Sequence, residues 1–333
     1  MEVKHDAACS ERAQPVQPAW VPVSGPAPWP HVRCEISPDE LDLALTLDCG
    51  QAFRWRLQPA GAILEAGGRP CWRGAIRGRL VWLWREGLWI HAMMTPGPFD
   101  PKLLNDYLAL NLNLAGVRQA LSRDVHVSAA MSGLLGLRIL QQEPWECLIS
   151  FILSQWSSVP RIAGQVEAIS RRWGREIAPG AWAFPRPEEL APATDPDLAA
   201  MGLGYRAPYI VLAARKCASQ GTGWLDALAG VDYRDARELI ARPGSDRRSS
   251  EKVMGVGPKV ADCVLLFSLG HYEAFPVDVH VRRAMDHWYG DIITFGKTYD
   301  SVAEFGRQRF GACAGYAQQY LFHRQRTGDG GGQ

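Results

Sequence analysis

The sequence predicts an α+β protein in which a small antiparallel-sheet N-terminal domain precedes an all-helical domain. Apolar and polar residues alternate through residues 31–96, as in half-buried strands, whereas after FDPKLLNDYLALN the apolar residues recur with a helical period. A chain of 333 residues with 47% hydrophobic and 21% charged residues has enough apolar material for two cores. The expected boundaries are a disordered tail at 1–30, the α+β domain at 31–125, the helical domain at 126–326 and a second tail at 327–333.

The sheet is predicted from two stretches, WRGAIRG and RLVWLWREGLWIHA. Arg85-Glu86-Gly87 is a turn signal between Val81–Leu83 and Leu88–Ile90, so the second stretch is expected to form a hairpin. The dense tryptophans of this region favour a sheet packed on one face. The residues before it, 1–30, contain six prolines and little apolar periodicity, a composition that cannot bury a core.

The helical domain is predicted from a series of short amphipathic segments. Prolines near helix starts (Pro144, Pro208) and glycines at helix ends (Gly174, Gly290) agree with the usual capping asymmetry. Residues 242–251 are expected to form a polar loop. The helical segments are MSGLLGLRIL, PWECLISFILSQ, VPRIAGQVEAISRRWG, RAPYIVLAARKCA, YRDARELIA, VHVRRAMDHWYG, SVAEFGRQRFG and AGYAQQYLFHRQ.

Composition excludes several classes of protein. The net charge of +1 does not mark a polyanion binder, so contact with nucleic acid would have to depend on local features. The eight cysteines are scattered singly, which disfavours a disulfide framework, an iron–sulfur cluster and a zinc site, and no cofactor is expected. No apolar run approaches the ~20 residues that span a membrane, and no export signal opens the chain. We therefore expect a cytoplasmic protein.

The segment MGVGPKVADC, residues 254–263, carries the strongest chemical signal. Gly255-Val256-Gly257 forms a tight turn ahead of a helix N-terminus, where backbone N–H groups and the helix dipole favour a phosphate. Such a turn needs no net positive charge to hold DNA. A lysine at a helix N-terminus opposes the dipole at a cost of ~0.3–1 kcal/mol, which raises the question of what Lys259 does there.

Lys259 has a physical logic as a nucleophile. A free lysine amine is neutral in only about one molecule in a thousand near pH 7.4. A helix N-terminus and partial burial both disfavour the ammonium form, and the neutral amine can attack an electrophilic carbon and form a Schiff base. The alternative is a surface lysine whose charge lies away from the helix end.

Asp278, nineteen residues after Lys259, precedes a second amphipathic helix in FPVDVHVRRAM. Its simplest interpretation is an N-cap. A cap carboxylate near a helix-start lysine is also suited to act as a general base or charge stabiliser. Cys263 follows Lys259 by four residues, so the two side chains lie on the same helix face.

These stretches resemble the helix–hairpin–helix signature, with its glycine/proline-rich loop and aspartate, of the DNA glycosylase superfamily. The lysine is typical of members that also have lyase activity. DCGQAFRWR, PWECLISFILSQ, LGYRAPYI (from Leu203 on) and YAQQYLF are similar to the 8-oxoguanine DNA glycosylase branch, and the resemblance covers roughly residues 33–326. It implies a glycosylase that excises 8-oxoguanine from duplex DNA through a lysine Schiff base and then cleaves the strand by β-elimination.

The resemblance also implies roles for individual residues. Lys259 would attack C1′ of the damaged nucleoside and Asp278 would stabilise the charge that develops on the sugar. A backbone carbonyl at Gly50 would accept the N7–H that distinguishes the lesion from guanine, and glycine allows that close approach. The flipped base would lie between Cys263 and Phe322, with Gln318 bonded to its Watson–Crick edge.

Further positions match contacts to the DNA around the flipped base. Tyr205 matches the wedge that fills the vacated stack, and Arg161 and Arg206 match the pair that grips the orphaned cytosine. His280 matches a phosphate contact. Taken singly, Tyr205 is better explained as core and Arg161 and Arg206 as solvated helix charges. Together, and in register with Lys259 and Asp278, they are better explained as DNA contacts.

Trp156 departs from the pattern, because the familiar enzymes carry an asparagine there that reads the opposite base. An indole cannot make a bidentate amide contact but can stack on any base. We expect either relaxed discrimination of the opposite base or an indole packed against the wedge. Two smaller departures are Met254, where a proline is usual, and a loop at 242–251 longer than the family pattern predicts.

Three other functions fit the sequence less well. A monofunctional glycosylase for alkylated bases needs only the aspartate, and a relative with a four-cysteine cluster does not fit the scattered cysteines. A non-catalytic DNA-binding protein would leave Lys259, Asp278 and the Gln318/Phe322 face without a purpose. The resemblance further implies a monomer that acts on double-stranded DNA containing oxidised guanine, away from membranes, at the nucleoid or, in a eukaryote, in the nucleus.

Overall fold

The computed structural model describes residues 18–25, 27–221, 223–241, 253–292 and 298–328. The predicted loop at 242–251, most of the first predicted tail (1–17) and residues 329–333 lie outside this part of the chain. The strands are β1 Val21–Pro22, β2 His31–Glu35, β3 Arg56–Gln58, β4 Cys71–Ile76, β5 Arg79–Glu86, β6 Trp89–Thr95, β7 Glu176–Ala178 and β8 Ala181–Trp182.

The helices are α1 Leu43–Leu47, α2 Pro101–Tyr107, α3 Leu114–Leu121, α4 Val125–Met131, α5 Pro144–Leu153, α6 Val159–Trp173, α7 Pro187–Leu190, α8 Asp195–Ala199, α9 Ala207–Gln220, α10 Trp224–Ala227, α11 Tyr233–Ile240, α12 Pro258–Ser268, α13 Val279–Tyr289, α14 Tyr299–Phe310 and α15 Ala314–Gly328. None of the helices that the structure describes is long and apolar enough to cross a membrane.

The chain forms two compact units, each built from two stretches. Among the described residues, one unit comprises 18–110 and 136–225 and is called the sheet unit below. The other comprises 111–135 and 226–328 and is called the lysine unit, because it contains Lys259. The boundaries expected from sequence followed the change of periodicity along the chain, whereas these units interleave.

The sheet unit contains a six-stranded antiparallel sheet in the order β1-β2-β6-β5-β4-β3, which confirms the predicted fold class. The predicted hairpin joins β5 to β6, with Glu86 opposite Trp89 and Gly87 at a φ of 58°. The described end of the predicted N-terminal tail contributes β1, and the Trp20 indole N–H donates to Asn105 Oδ1 at 2.8 Å.

Both faces of the sheet are covered, and the expectation of a sheet packed on one face was wrong. Along β5, Val81 and Leu83 belong to one buried cluster, whereas Leu80, Trp82 and Trp84 belong to another. The second cluster is covered in part by β7 and β8. Tryptophans on the second face are buried because this small two-stranded sheet packs over them.

The lysine unit is helical, with α15 packed against both α4 and α13. Asp124 caps α4 and also accepts hydrogen bonds from the Tyr289 hydroxyl and the Arg309 guanidinium, each at 2.7 Å. These bonds attach α4 to helices that follow it by more than 150 residues in the sequence.

Candidate active site

The turn before α12 places Lys259 in the first turn of that helix. Gly255 has a φ of 82°, a left-handed conformation that favours glycine, and Gly257 is the N-cap with Pro258 after it. Val256 is 1% exposed and its N–H donates to Val253 O at 3.3 Å. The Val256 amide is therefore engaged within the turn, and the anion site predicted from Gly-Val-Gly has one fewer outward N–H than the sequence implies.

Lys259 and Asp278 both lie within electrostatic reach of Cys263. Burial raises the pKa of the Cys263 thiol to about 12, the Lys259 charge opposes this rise, and the carboxylates of Asp262 and Asp278 add to it. Cys263 is only 3% exposed and belongs to the same helix face as Lys259. Its thiol is thus an apolar, neutral surface beside an amine and a carboxylate.

Asp278 is the N-cap of α13, as its position in the sequence predicted. Its Oδ1 accepts the Val281 N–H at 2.8 Å. This bond fixes the carboxylate at the start of the helix, where the positive end of the dipole stabilises its charge. The cap therefore fixes the Asp278 carboxylate at the start of α13 and does not compete with a chemical role.

The face of α15 predicted to read the base is partly buried. Gln318 is 4% exposed, and its Oε1 accepts the Gln319 side-chain N–H at 2.7 Å, which orients its amide. Phe322, one turn further on, meets the His280 ring edge-to-face with 5.7 Å between ring centroids. The residue expected to contact a phosphate and the residue expected to stack on the base therefore touch each other in the DNA-free protein.

Asp262 is a candidate functional residue that the sequence motifs did not identify. It lies between Lys259 and Cys263 on α12, is fully buried, and accepts hydrogen bonds from two tyrosines and one arginine. The signal in the sequence is an aspartate inside the apolar run Val260–Phe267, because a buried carboxylate needs partners.

In the sheet unit, Gly50 has a φ of 88°, a conformation that supports the choice of glycine there. Gln51, which follows it, is 1% exposed and anchors the loop. Its amide N–H₂ donates to Thr46 O and Arg138 O, both at 2.8 Å, and its Oε1 accepts the Leu140 N–H at 2.9 Å. Gln51 therefore fixes the backbone that carries Gly50, a role not assigned from the sequence.

Trp156 projects from the turn between α5 and α6. It is 94% exposed and its backbone has a φ of 51°. A non-glycine residue seldom adopts this left-handed conformation. Within the sheet unit the indole thus packs against neither the core nor Tyr205, which itself remains 50% exposed. Of the two alternatives for Trp156, the geometry favours the one in which the indole is available to DNA.

Arg206 holds this turn in place. It is 4% exposed, and its Nε donates to Gln155 O at 2.8 Å while Nη2 donates to Trp156 O at 3.0 Å and also to Gln155 O. Its Nη1 donates to Leu203 O at 3.3 Å. In the DNA-free protein the guanidinium is therefore directed at backbone carbonyls, and a contact with the orphaned cytosine stays a prediction.

Tyr205 and Arg161 flank the same turn. The Tyr205 hydroxyl donates to Gln155 O at 3.3 Å, and its ring lies 4.6 Å from the Arg206 guanidinium carbon. Arg161 is exposed and donates to Gly202 O at 3.0 Å. The structure therefore gathers four predicted DNA contacts of the sheet unit around one turn: Trp156, Arg161, Tyr205 and Arg206.

The remaining predicted residues belong to the lysine unit. Each unit therefore contains its own set of predicted residues: the predicted catalytic pair, the helix-start turn and the α15 face are in one, and Gly50 with the Trp156 turn is in the other. Among the described residues no group of three or more histidines, cysteines or carboxylates could hold a metal ion.

Comparison with known proteins agrees with this geometry. Residues 149–308 match the family model for the HhH-GPD superfamily base excision DNA repair protein, and the fold and site define that class. Residues 33–148 match the model for the 8-oxoguanine DNA glycosylase N-terminal domain. With both parts matched, and with the relatives below, the chain belongs to the 8-oxoguanine DNA glycosylase family.

Three relatives illustrate the similarity. The probable N-glycosylase/DNA lyase of Methanothermobacter thermautotrophicus is 37% identical over 231 residues, 62% of this chain and 69% of the relative. The N-glycosylase/DNA lyase OGG1 of Arabidopsis thaliana is 31% identical over 301 residues, 85% of this chain and 77% of the relative. The Clostridium acetobutylicum 8-oxoguanine glycosylase/lyase, solved with duplex DNA containing cytosine opposite 8-oxoguanine, has a TM-score of 0.76 at 29% identity, covering 89% of this chain and 95% of that one.

Proposed function

We propose that this protein removes 8-oxoguanine from duplex DNA and cleaves the resulting abasic site by β-elimination, with Lys259 as nucleophile. The observation that carries the proposal is that Lys259, in the first turn of α12, and Asp278, at the N-cap of α13, both lie within electrostatic reach of Cys263. Family membership and the names of its relatives support both activities.

The proposed reaction begins at C1′ of the flipped nucleoside. The Lys259 amine forms a bond to C1′ as the C1′–N9 bond breaks, and the base leaves with the bonding electrons and takes up a proton. The capped Asp278 carboxylate stabilises the positive charge that develops on the sugar. Ring opening then gives the Schiff base, and loss of a C2′ proton expels the 3′ phosphate.

The residues proposed to recognise the base keep the roles that the family resemblance implies. The Gly50 carbonyl accepts the N7–H that guanine lacks, and Gln51 keeps that carbonyl in place. Cys263 offers a neutral, polarizable surface to one face of the base and Phe322 an aromatic surface to the other. Gln318 bonds to the Watson–Crick edge, with its amide oriented by Gln319.

Borohydride trapping on a duplex with one 8-oxoguanine opposite cytosine tests the chemistry. The parent protein is expected to form a covalent adduct, and Lys259→Gln is expected to form none. Lys102→Gln, an exposed lysine of α2, is the matched control and should trap as the parent does. Base release that persists in Lys259→Gln would mean that an activated water performs the chemistry.

Asp278→Asn separates the cap from the charge, because asparagine caps helices about as well as aspartate. We expect this variant to fold normally and to release the base more slowly by at least about tenfold, the effect of losing one electrostatic interaction of the transition state. Unchanged single-turnover rates would reduce Asp278 to a structural cap.

We also propose that Trp156 relaxes the choice of opposite base, because stacking on an indole does not distinguish bases by hydrogen bonding. Single-turnover rates on 8-oxoguanine opposite C, A, G and T are expected to differ little in the parent. Trp156→Asn is expected to steepen the preference for cytosine. An equally steep preference in both proteins would contradict the proposal.

A further inference from the structure

A single tyrosine hydroxyl joins the helix that carries Lys259 to the segment that carries Asp278. Tyr299, the first residue of α14, donates its O–H to Asp262 Oδ2 at 2.5 Å. A backbone hydrogen-bonding interaction of Val277, the residue before Asp278, acts on the same hydroxyl and opposes the rise in its pKa that burial and Asp262 cause. Asp262 in turn lies one helical turn after Lys259 on α12.

The remaining bonds of Asp262 hold its carboxylate firmly on the other side. Its Oδ1 accepts the Tyr233 hydroxyl at 2.7 Å and Arg237 Nε at 2.9 Å, both from α11. Arg237 is held by Asp300 as well, through Nη2 at 2.6 Å. The buried carboxylate is thus paired and fully hydrogen-bonded, so that it forms a fixed point in the lysine unit.

We propose that Tyr299 and Asp262 are positioning residues that set the distance between the Lys259 amine and the Asp278 carboxylate. The inference depends on the proposed function, since it concerns the same two groups. Neither residue touches the substrate. Catalytic groups must be held within about 0.5 Å of their productive geometry, and side chains locked by hydrogen bonds behind the site provide that precision.

Two reactions of the same enzyme separate positioning from simple stability. Base release from 8-oxoguanine needs the amine and the carboxylate together. Schiff-base formation on a preformed abasic site also needs the amine, but no C1′–N9 bond has to break, so the positive charge that develops on the sugar as the base leaves does not arise. A misplaced Asp278 therefore slows the first reaction more than the second.

Tyr299→Phe removes only the hydroxyl. We expect base release under single-turnover conditions to slow by about tenfold or more, the effect of a displacement well below 1 Å. Trapping on a preformed abasic site should fall by less than about threefold, and the Kd for duplex DNA should change by less than about twofold. Asp262→Asn, which keeps the shape of the acceptor and removes its charge, is expected to act in the same direction.

Tyr289→Phe is the matched control. Tyr289 is 1% exposed in the same unit and donates its hydroxyl to a buried aspartate, Asp124, at 2.7 Å. This pair does not include α12. Tyr289→Phe should lose a similar amount of thermal stability and release the base within about twofold of the parent rate.

Equal base release in Tyr299→Phe, Asp262→Asn and the parent, at a temperature where all are folded, would overturn the proposal. It would also be overturned if Tyr299→Phe slowed base release and trapping on the abasic site by the same factor. Equal slowing is the effect of lost stability alone, for which Tyr289→Phe is the control. Should Tyr299→Phe not fold, Asp262→Asn carries the same comparison. If the parent itself forms no adduct, the proposed function fails, and that outcome is distinct from a parent that reacts and variants that match it.

Discussion

Replacing Trp156 by glycine is expected to stabilise the protein while lowering its affinity for DNA. The backbone of Trp156 has a φ of 51°, and a non-glycine residue in this region costs ~1–2 kcal/mol. Since 94% of the side chain is exposed, its removal forfeits little burial. The net gain from Trp156→Gly is therefore about 1 kcal/mol after the extra flexibility of glycine in the unfolded chain, or a rise in Tm of about 2–4 °C.

The same change removes the stacking surface. Loss of one base–aromatic contact costs ~1–3 kcal/mol, which corresponds to a Kd about tenfold or more weaker. Thermal unfolding by circular dichroism measures the first effect, and fluorescence anisotropy on a lesion-containing duplex measures the second. Arg77→Gly is the control for strain, because Arg77 is also exposed and has a φ of 43°. It should raise Tm by a comparable amount.

A fall in Tm for Trp156→Gly would refute the reasoning about strain. Such a fall would mean that the indole packs in solution and that its burial outweighs the backbone cost. Unchanged DNA affinity together with a raised Tm would leave the strain argument intact and remove the stacking role.

Three further outcomes are expected. Burial raises the pKa of Glu146 to about 7 despite Arg54 at 3.7 Å, so the folded protein retains a proton that the unfolded chain loses above about 4.5. The free energy of unfolding should therefore fall by about 3 kcal/mol as the pH rises from about 4.5 to about 7. Denaturant titrations at about pH 5 and pH 7.5 should show this fall in the parent but not in Glu146→Gln, and an equal fall in both proteins would contradict the prediction. Cys263 has a pKa of about 12 and is 3% exposed, so it should resist alkylation by iodoacetamide at about pH 8 until the protein is unfolded. Mass spectrometry measures this alkylation, and rapid labelling of the folded protein would be inconsistent with the burial of Cys263. Gln51→Leu removes the side-chain partner of two carbonyls and one N–H, so the free energy of unfolding should fall by ~1–3 kcal/mol per unsatisfied group. The variant should also release the base more slowly at a temperature where it is folded. A normal Tm would argue against Gln51 as the residue that anchors the Gly50 loop.

Local patterns predicted the fold class well. The β5–β6 hairpin follows from alternation and a glycine turn, and the cap at Asp278 follows from a carboxylate before an amphipathic helix. These features depend on residues only a few positions apart. The covering of the second sheet face was missed because β7 and β8 lie about a hundred residues further along the chain.

The candidate site was predicted only in part for the same reason. Lys259 and Asp278 carry short motifs, but the partners of Asp262 come from positions 25 to 37 residues away. Arg206 has the sequence appearance of a solvated helix charge, and only the folded chain shows its guanidinium buried against the Trp156 turn. Hydrogen bonds between distant segments leave no periodic signal in the sequence.

The interleaving of the two units has a consequence for how the chain acquires its structure during synthesis. The sheet unit is complete once residue 225 has emerged, but residues 111–135 must wait for the last hundred residues before their unit can form. Beyond the helix that it caps, Asp124 is hydrogen-bonded to Tyr289 and Arg309, which come from the last fifty residues of the chain. A ribosome that stops after residue 225 therefore releases a chain with one finished unit and one unpaired helical insert, so that Lys259 and its supporting helices are assembled last.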